Sequence, residues 1–208
     1  MNAYTIVANA IYFVLGGIAL WGAYCCVMVW RSVAQRRFRG EDEQNEFLDA
    51  VGEPLSRQAF DEVNQMCEGD PRAVTQLVNL AVNNRKIGFA KIRQMLMDRF
   101  QRDVLADLEY RLSWVNTVIK SAPMVGLLGT VIGMMGAFDK LATAQNVKPD
   151  QLAENISVAL ITTACGLAIA IPLIMATASI NVRIRKMEDL VSAGMTRFLD
   201  EFRSVMGL

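Results

Sequence analysis

Residues 121–138 read SAPMVGLLGTVIGMMGAF, and residues 155–182 read NISVALITTACGLAIAIPLIMATASINV. Neither stretch contains a charged side chain, and they are 18 and 28 residues long. At about 1.5 Å of rise per residue, 18 helical residues reach about 27 Å, close to the roughly 30 Å hydrocarbon core of a bilayer. Both stretches are therefore predicted to be transmembrane helices, and the rest of the chain is interpreted as support for this pair.

Composition favours a membrane protein with a sizeable aqueous part. Of the 208 residues, 53% are hydrophobic and 20% are charged, and the mean hydropathy is +0.27. The formal net charge is zero, so the global basic bias of a nucleic-acid-binding protein is missing. The chain contains no His, which excludes a His-based catalytic triad and a His-ligated metal site within it.

The four cysteines form no C-x-x-C pair and are interpreted as small apolar side chains. No cofactor or metal site is predicted. The sequence also has no nucleophile motif and no phosphate-binding loop, so an enzyme is the least favoured functional class and no catalytic residue is proposed.

A third span is predicted at the N-terminal end. Residues 1–30 carry no charged side chain and have aromatic residues toward both ends, as spanning helices do. We expect a retained helix and not a cleaved signal peptide, because no basic segment precedes the apolar core. Basic residues follow the first and last spans: Arg31, Arg36, Arg37, Arg39, Arg183, Arg185 and Lys186. The positive-inside rule then places the N-terminus outside and the C-terminus inside.

The predicted fold class is an all-α integral membrane protein with three transmembrane helices whose long extensions enter a cytoplasmic helical domain. The predicted segments are a transmembrane helix (1–30), a cytoplasmic helical domain (31–112), a second transmembrane helix (113–140), a periplasmic loop (141–153), a third transmembrane helix (154–182) and a cytoplasmic C-terminal helix (183–208). Apolar residues at three- and four-residue spacing from Ile92 to Val115 predict one long helix running into the second span.

Two sequence signals for the start of a helix are found in the cytoplasmic segment. Pro54 is predicted to open a helix that runs toward Cys67, because Pro is tolerated in a first turn. Asp70 and Pro71 are predicted to be the N-cap and the first residue of the next helix. Beyond Arg183, an apolar face is predicted to pack the C-terminal helix on the long cytoplasmic helix.

Both charge-free stretches have faces of small residues, which let helices pack closely in lipid. These residues, with the Thr side chains beside them, are Ala122, Gly126, Gly129, Thr130, Gly133 and Ala137 on the second span, and Ala159, Thr162, Thr163, Gly166 and Ala170 on the third. Pro123 and Pro172 are predicted to kink these two helices.

The Thr hydroxyls leave two interpretations open. They can serve a polar path through the membrane, or they can bond to a carbonyl one turn back on their own helix. Neither charge-free stretch contains Asp, Glu, His, Lys or Arg, although a proton relay normally requires a titratable side chain. If the protein moves protons, the carboxylate must come from another chain.

These residues resemble the MotA/TolQ/ExbB proton-channel family. The resemblance lies in APMVGLLGTVIGMMGAF (122–138) and ALITTACGLAIAIP (159–172), and the length and three spans are similar to the TolQ/ExbB branch. It implies a homopentamer around a central pore lined by the second and third spans, in the bacterial inner membrane. It also implies that Thr130 and Thr163 match the family's pore threonines.

The resemblance further implies partners. These are a dimeric single-span ExbD/TolR-type protein with an intramembrane Asp, and beyond it a TonB- or TolA-type transducer. The expected function is to convert ion flow into mechanical work on the single-span partner, which energises an envelope process such as TonB- or Tol-type transport.

One departure from the family pattern concerns the coupling ion. Members commonly carry Glu five residues before the third-span Thr, and this chain has Val158 there. The choice between H⁺ and Na⁺ therefore stays open. So do two other functions: a non-conducting scaffold or assembly factor of the same fold, and a flagellar-type stator subunit.

Overall fold

The structure, a computed structural model, describes residues 3–143 and 149–206, and within these ranges all regular secondary structure is helical. The elements are α1 (Ala3–Arg36), α2 (Glu41–Ser56), α3 (Phe60–Cys67), α4 (Ala73–Asn83), a 3-10 turn (Arg85–Ile87), α5 (Phe89–Arg99), a π-helical segment (Phe100–Leu105), α6 (Ala106–Thr143) and α7 (Pro149–Val205). The all-α prediction is confirmed.

Three helical stretches are long and apolar enough to cross a membrane: Asn9–Arg36, Phe89–Asp139 and Ile156–Val205. The prediction of three spanning helices is thereby supported by length and composition. The predicted long helix into the second span is also present, with the π-helical segment inside it. Helices α6 and α7 both extend into the predicted 141–153 loop, of which residues 144–148 lie outside the described residues.

The chain forms two compact units. The first contains residues 1–28 and 111–179, and the second contains residues 29–110 and 180–208. The sequence explains this division, because the first unit collects the apolar parts of α1, α6 and α7, whereas the second collects most of the charged residues.

The first unit has a small core where its three helices meet. Val115, Val118 and Leu173 are buried there, with side chains of α1 packed around them. Gly22 permits this approach, since a Cβ atom at Gly22 would lie 2.7 Å from Val118 Cγ1 and 2.8 Å from Leu173 Cδ1. Many large apolar side chains remain exposed on the outside of the unit, including Phe13, Leu20, Met124 and Met175. That surface is suited to lipid.

The second unit packs α2 to α5 with the last part of α7. The apolar face predicted for the C-terminal helix is confirmed, since Ile184, Met187, Val191, Phe198 and Leu199 are all buried. Polar contacts join this helix to α2 as well. The amide of Gln44 donates to the carbonyl oxygen of Leu190 at 2.7 Å, and the Arg197 guanidinium bonds to Asn45 and Asp49.

Both predicted helix starts, at Pro54 and at Asp70–Pro71, were wrong. Pro54 lies inside α2, near its end, and the next helix begins only at Phe60, after Gln58 adopts a φ of +58°. Helix α4 begins at Ala73 with Arg72 as its N-cap residue, so Asp70 is not the cap. Asp70 instead accepts hydrogen bonds from the backbone and side chain of Arg72, which holds the turn before the helix.

Candidate functional site between helices α6 and α7

Glycines bring α6 and α7 of the first unit into backbone contact. A Cβ atom at Gly126 would lie 2.7 Å from the carbonyl oxygen of Thr162 and 3.0 Å from Thr163 Cα. A Cβ atom at Gly166 would lie 2.6 Å from the carbonyl oxygen of Ala122. Because the close atoms belong to backbone, a side chain at either glycine would force the two helices apart.

The same contact continues toward the C-terminal end of α6. A Cβ atom at Gly129 would lie 2.7 Å from Thr162 Cβ, and one at Gly133 would lie 2.7 Å from Ala159 Cβ. The G-x-x-x-G pair therefore packs against α7 of the same chain. Ala170, the remaining small residue of the α7 face, is buried as well.

Thr162 lies in the middle of this contact, and its hydroxyl interacts with backbone carbonyls. The Oγ1 atom is 2.6 Å from the Ala159 carbonyl oxygen on its own helix and 3.1 Å from the Gly126 carbonyl oxygen on α6. The residue is 1% exposed, so this hydroxyl joins the two helices.

Thr130 and Thr163 differ in what their hydroxyls contact. The hydroxyl of half-buried Thr130 donates to the Leu127 carbonyl oxygen at 2.7 Å, within α6. The Thr163 Oγ1 atom is buried and has no hydrogen-bond partner in the described part of the chain. A buried hydroxyl without a partner is uncommon, because its desolvation costs about 1–3 kcal/mol. Of the two threonines that the family resemblance assigns to a pore, Thr163 is therefore the one whose hydroxyl has no described partner.

The two prolines lie within continuous helices. Pro123 is inside α6 and Pro172 is inside α7. Pro123 Cα is also 3.2 Å from the position of a Cβ atom on Gly166, so the Pro123 turn belongs to the close contact. That either proline kinks its helix stays a prediction.

Two residues on α1, Tyr12 and Gly22, were missed by sequence reasoning. The Tyr12 hydroxyl donates to the carbonyl oxygen of Val158 at 3.4 Å, at the position where the family pattern has Glu. Gly22 lies where α1 packs against Val118 and Leu173, whereas a Cβ atom at Gly16 or Gly17 would meet nothing within 4 Å. All three glycines look alike in the sequence, and only the placement of the helices distinguishes them.

The site contains no charge of its own. Residues 121–138 and 155–182 contain hydroxyl, amide, thiol and apolar side chains but no Asp, Glu, His, Lys or Arg. Among the described residues, no group of three or more His, Cys, Asp or Glu side chains is suited to hold a metal ion. The site can therefore offer hydrogen bonds and a close-packed wall, but its two charge-free stretches have no carboxylate or imidazole to accept a proton.

A family model described as the MotA/TolQ/ExbB proton channel family matches residues 60–193, which is more than half of the chain and includes both helices of the site. The chain belongs to the MotA/TolQ/ExbB proton channel family. The resemblance predicted from residues 122–138 and 159–172 is thereby confirmed.

Relatives within the MotA/TolQ/ExbB family carry two kinds of name. A Tol-Pal system protein TolQ of Pseudomonas aeruginosa is 30% identical over 85% of this chain and 70% of its own length. A putative biopolymer transport protein ExbB homolog of Methanothermobacter thermautotrophicus is 29% identical over 80% of this chain and 59% of its own. A TolQ of Haemophilus influenzae is 36% identical over 49% of this chain and 43% of its own. This chain thus spans less than two thirds of two of these relatives.

Proposed function

We propose that this chain is the pore-forming subunit of an ion-driven motor in the bacterial inner membrane, which converts ion flow into mechanical work on a partner protein. The observation that carries the proposal is the α6–α7 pair. The charge-free stretches 121–138 and 155–182 pack at backbone distance, and two buried hydroxyls, those of Thr163 and Thr177, have no hydrogen-bond partner among the described residues. Membership of the MotA/TolQ/ExbB family and relatives named TolQ and ExbB support the same function.

The charge-free site requires a carboxylate in trans. We assign it to a dimeric single-span protein of the ExbD/TolR type with an intramembrane Asp, enclosed by five copies of this chain. Thr163, with Thr130 and Thr162, would then hydrogen-bond that Asp or hydrate it as ions pass. A TonB- or TolA-type transducer would receive the movement and energise envelope transport.

The orientation of the three spans is part of the proposal. The helices at 1–30, 113–140 and 154–182 cross the membrane, the 141–153 loop faces the periplasm, and residues 31–112 and 183–208 face the cytoplasm. The basic residues that follow Trp30 and Val182 support this orientation.

Ion flux in liposomes tests the function. The chain is purified together with its Asp-bearing single-span partner, and a pH-sensitive dye is read under an imposed membrane potential, in Na⁺-free and Na⁺-containing buffers. We expect ion uptake that vanishes when the partner's intramembrane Asp is changed to Asn. Dye response without Na⁺ identifies H⁺ as the coupling ion and shows that Val158 does not prevent conduction.

Three results would contradict the proposal or part of it. Selective flux from this chain alone would refute the requirement for a carboxylate in trans. An intact complex that conducts neither ion, even when bound to its transducer, would favour the non-conducting scaffold. Restoration of motility to a cell lacking its flagellar stator subunit would favour the flagellar-type assignment.

A further inference from the structure

A cation lies on an indole ring at the level where two apolar stretches end. The guanidinium carbon of Arg183 is 3.9 Å from the centroid of the Trp30 ring. Trp30 is the last residue of the charge-free N-terminal stretch, and Arg183 is the first charged residue after residues 155–182. Both residues belong to the second unit. The contact therefore fixes one positive charge beside the ends of two spans.

This arrangement leaves the donors of Arg183 available. A guanidinium group stacked on a ring uses its face, while its five N–H groups point outward in its own plane. No acceptor for these N–H groups occurs among residues 3–143 and 149–206. A planar set of donors matches two oxygens of a phosphate group and is less strongly hydrated than an ammonium group.

Further positive charges surround the pair. Arg31 follows Trp30, and Lys186 follows Arg183 by three residues, which places it on the same side of α7 one turn later. Both side chains are exposed, and neither forms an ion pair with any described residue. The carboxylate of Asp107 on α6 is bonded to another cation, Arg36, at 2.7 Å.

The neighbouring surface toward the membrane is apolar. Val182, next to Arg183, is 54% exposed, and Trp30 is 38% exposed. A ligand that meets these cations thus also meets uncovered apolar side chains. Inorganic phosphate would bind the cations but would not use the apolar side chains. The headgroup of a zwitterionic lipid carries a positive charge of its own, which would add to the positive charge already at the site.

We propose that Trp30, Arg31, Arg183 and Lys186 form a binding site for the phosphate group of an anionic phospholipid, whose acyl chain lies against Val182. Arg183, oriented by the Trp30 ring, binds the phosphate oxygens through its planar N–H groups, and Arg31 and Lys186 add attraction. The site depends on insertion of the spans and not on ion conduction, so its test is independent of the flux experiment.

Quenching of Trp30 fluorescence by brominated lipid tests the site. Trp21 and Trp114 are changed to Phe so that Trp30 is the only reporter, and the protein in detergent is titrated with dibrominated phosphatidylglycerol or phosphatidylcholine. We expect phosphatidylglycerol to bind about tenfold more tightly, and Arg183→Gln to remove most of that preference. Lys186→Gln should weaken binding about fivefold, the effect of one cation near anionic lipid.

Controls separate this site from general attraction of anions. Lys91→Gln removes one exposed positive charge elsewhere and should leave the preference unchanged, whereas Arg183→Lys keeps the charge but should lose most of the preference. Millimolar inorganic phosphate should not displace the brominated lipid.

Equal quenching by both lipids, equal losses in Arg183→Gln and Lys91→Gln, or displacement by phosphate would overturn the proposal. If the variant carrying Trp21→Phe and Trp114→Phe fails to fold, native mass spectrometry replaces the quenching experiment. It compares the phosphatidylglycerol retained by the unsubstituted chain and by Arg183→Gln, and equal retention would overturn the proposal.

Discussion

Asp70 is a carboxylate of the second unit that accepts several hydrogen bonds. Its oxygens accept hydrogen bonds from the Arg72 backbone and guanidinium and from the Thr75 hydroxyl at 2.8–3.1 Å. Burial alone would raise the pKa of Asp70, but these hydrogen bonds and the Arg72 charge outweigh burial and hold the pKa below its ordinary value. The ionised carboxylate is therefore the form that stabilises the fold.

The direction of this pKa shift predicts the pH dependence of stability. Because the pKa of Asp70 is lower in the folded chain, its contribution is complete above the unfolded pKa of about 3.9 and is lost as pH falls through the folded pKa. Asp70→Asn should lower the free energy of unfolding by about 1–2 kcal/mol at pH 7. Thermal unfolding in detergent should show a smaller difference from wild type at pH 3, which is below the unfolded pKa, than at pH 7.

A matched substitution provides the control for Asp70. Asp49 pairs with Arg197 through a side chain that is 67% exposed, so Asp49→Asn should change stability by less than about 1 kcal/mol. Equal effects of the two substitutions, or an Asp70→Asn effect as large at pH 3 as at pH 7, would show that the charge of Asp70 is not what stabilises the turn.

Thr163 is the residue on which the proposed pathway depends most. Thr163→Val keeps the side-chain shape but removes the unpartnered hydroxyl, so energy coupling in cells should fall at least tenfold while the complex still assembles. Thr163→Ser keeps the hydroxyl and should retain most activity. The readout is growth that depends on the energised envelope process, with complex formation checked on native gels. Full activity of Thr163→Val would remove Thr163 from the pathway.

At the scale of elements, the close approach of α6 and α7 depends on where glycine lies. Gly126→Ala should lower stability by about 1–3 kcal/mol, because the new Cβ atom would meet the Thr162 carbonyl oxygen at 2.7 Å. Gly16→Ala is the matched control, since it makes the same change inside a helix where nothing lies within 4 Å. Thermal unfolding should show a loss only for Gly126→Ala; similar midpoints for both variants would mean that the helices pack less closely.

The elements also show where sequence patterns fail. The apolar spacing from Ile92 to Val115 predicted a long helix correctly but gave no sign of the π-helical segment at Phe100–Leu105. Within that segment, the Arg36 guanidinium lies 3.4 Å from the carbonyl oxygens of Asp103 and Val104. A residue distant in sequence thus supplies donors there, which local periodicity cannot reveal.

At the scale of the whole molecule, the proposed ring of five copies makes a simple prediction. The purified chain should form a particle with a protein mass of about 115 kDa, five times its 23.0 kDa. Light scattering with correction for detergent measures this mass, and Gly16→Ala should leave it unchanged. A monomer or dimer in several mild detergents would contradict a central pore formed by this chain.

The sequence by itself determined the three apolar stretches, the all-α fold class and the family. Hydrophobic length and the absence of charge follow from residue identity alone, and the two motif stretches are long enough to be specific. It also determined that residues 121–138 and 155–182 provide no carboxylate in any placement of the helices, because neither stretch contains Asp or Glu.

Only the tertiary structure decided how individual residues are used. It showed that the small-residue faces pack α6 on α7 within one chain, that the Thr162 hydroxyl bonds to both helices, and that the Thr163 hydroxyl is left without a described partner. It also placed Pro54 inside α2 and stacked Arg183 on Trp30. Each of these facts depends on distances between residues far apart in the chain, which helical period and residue type do not fix.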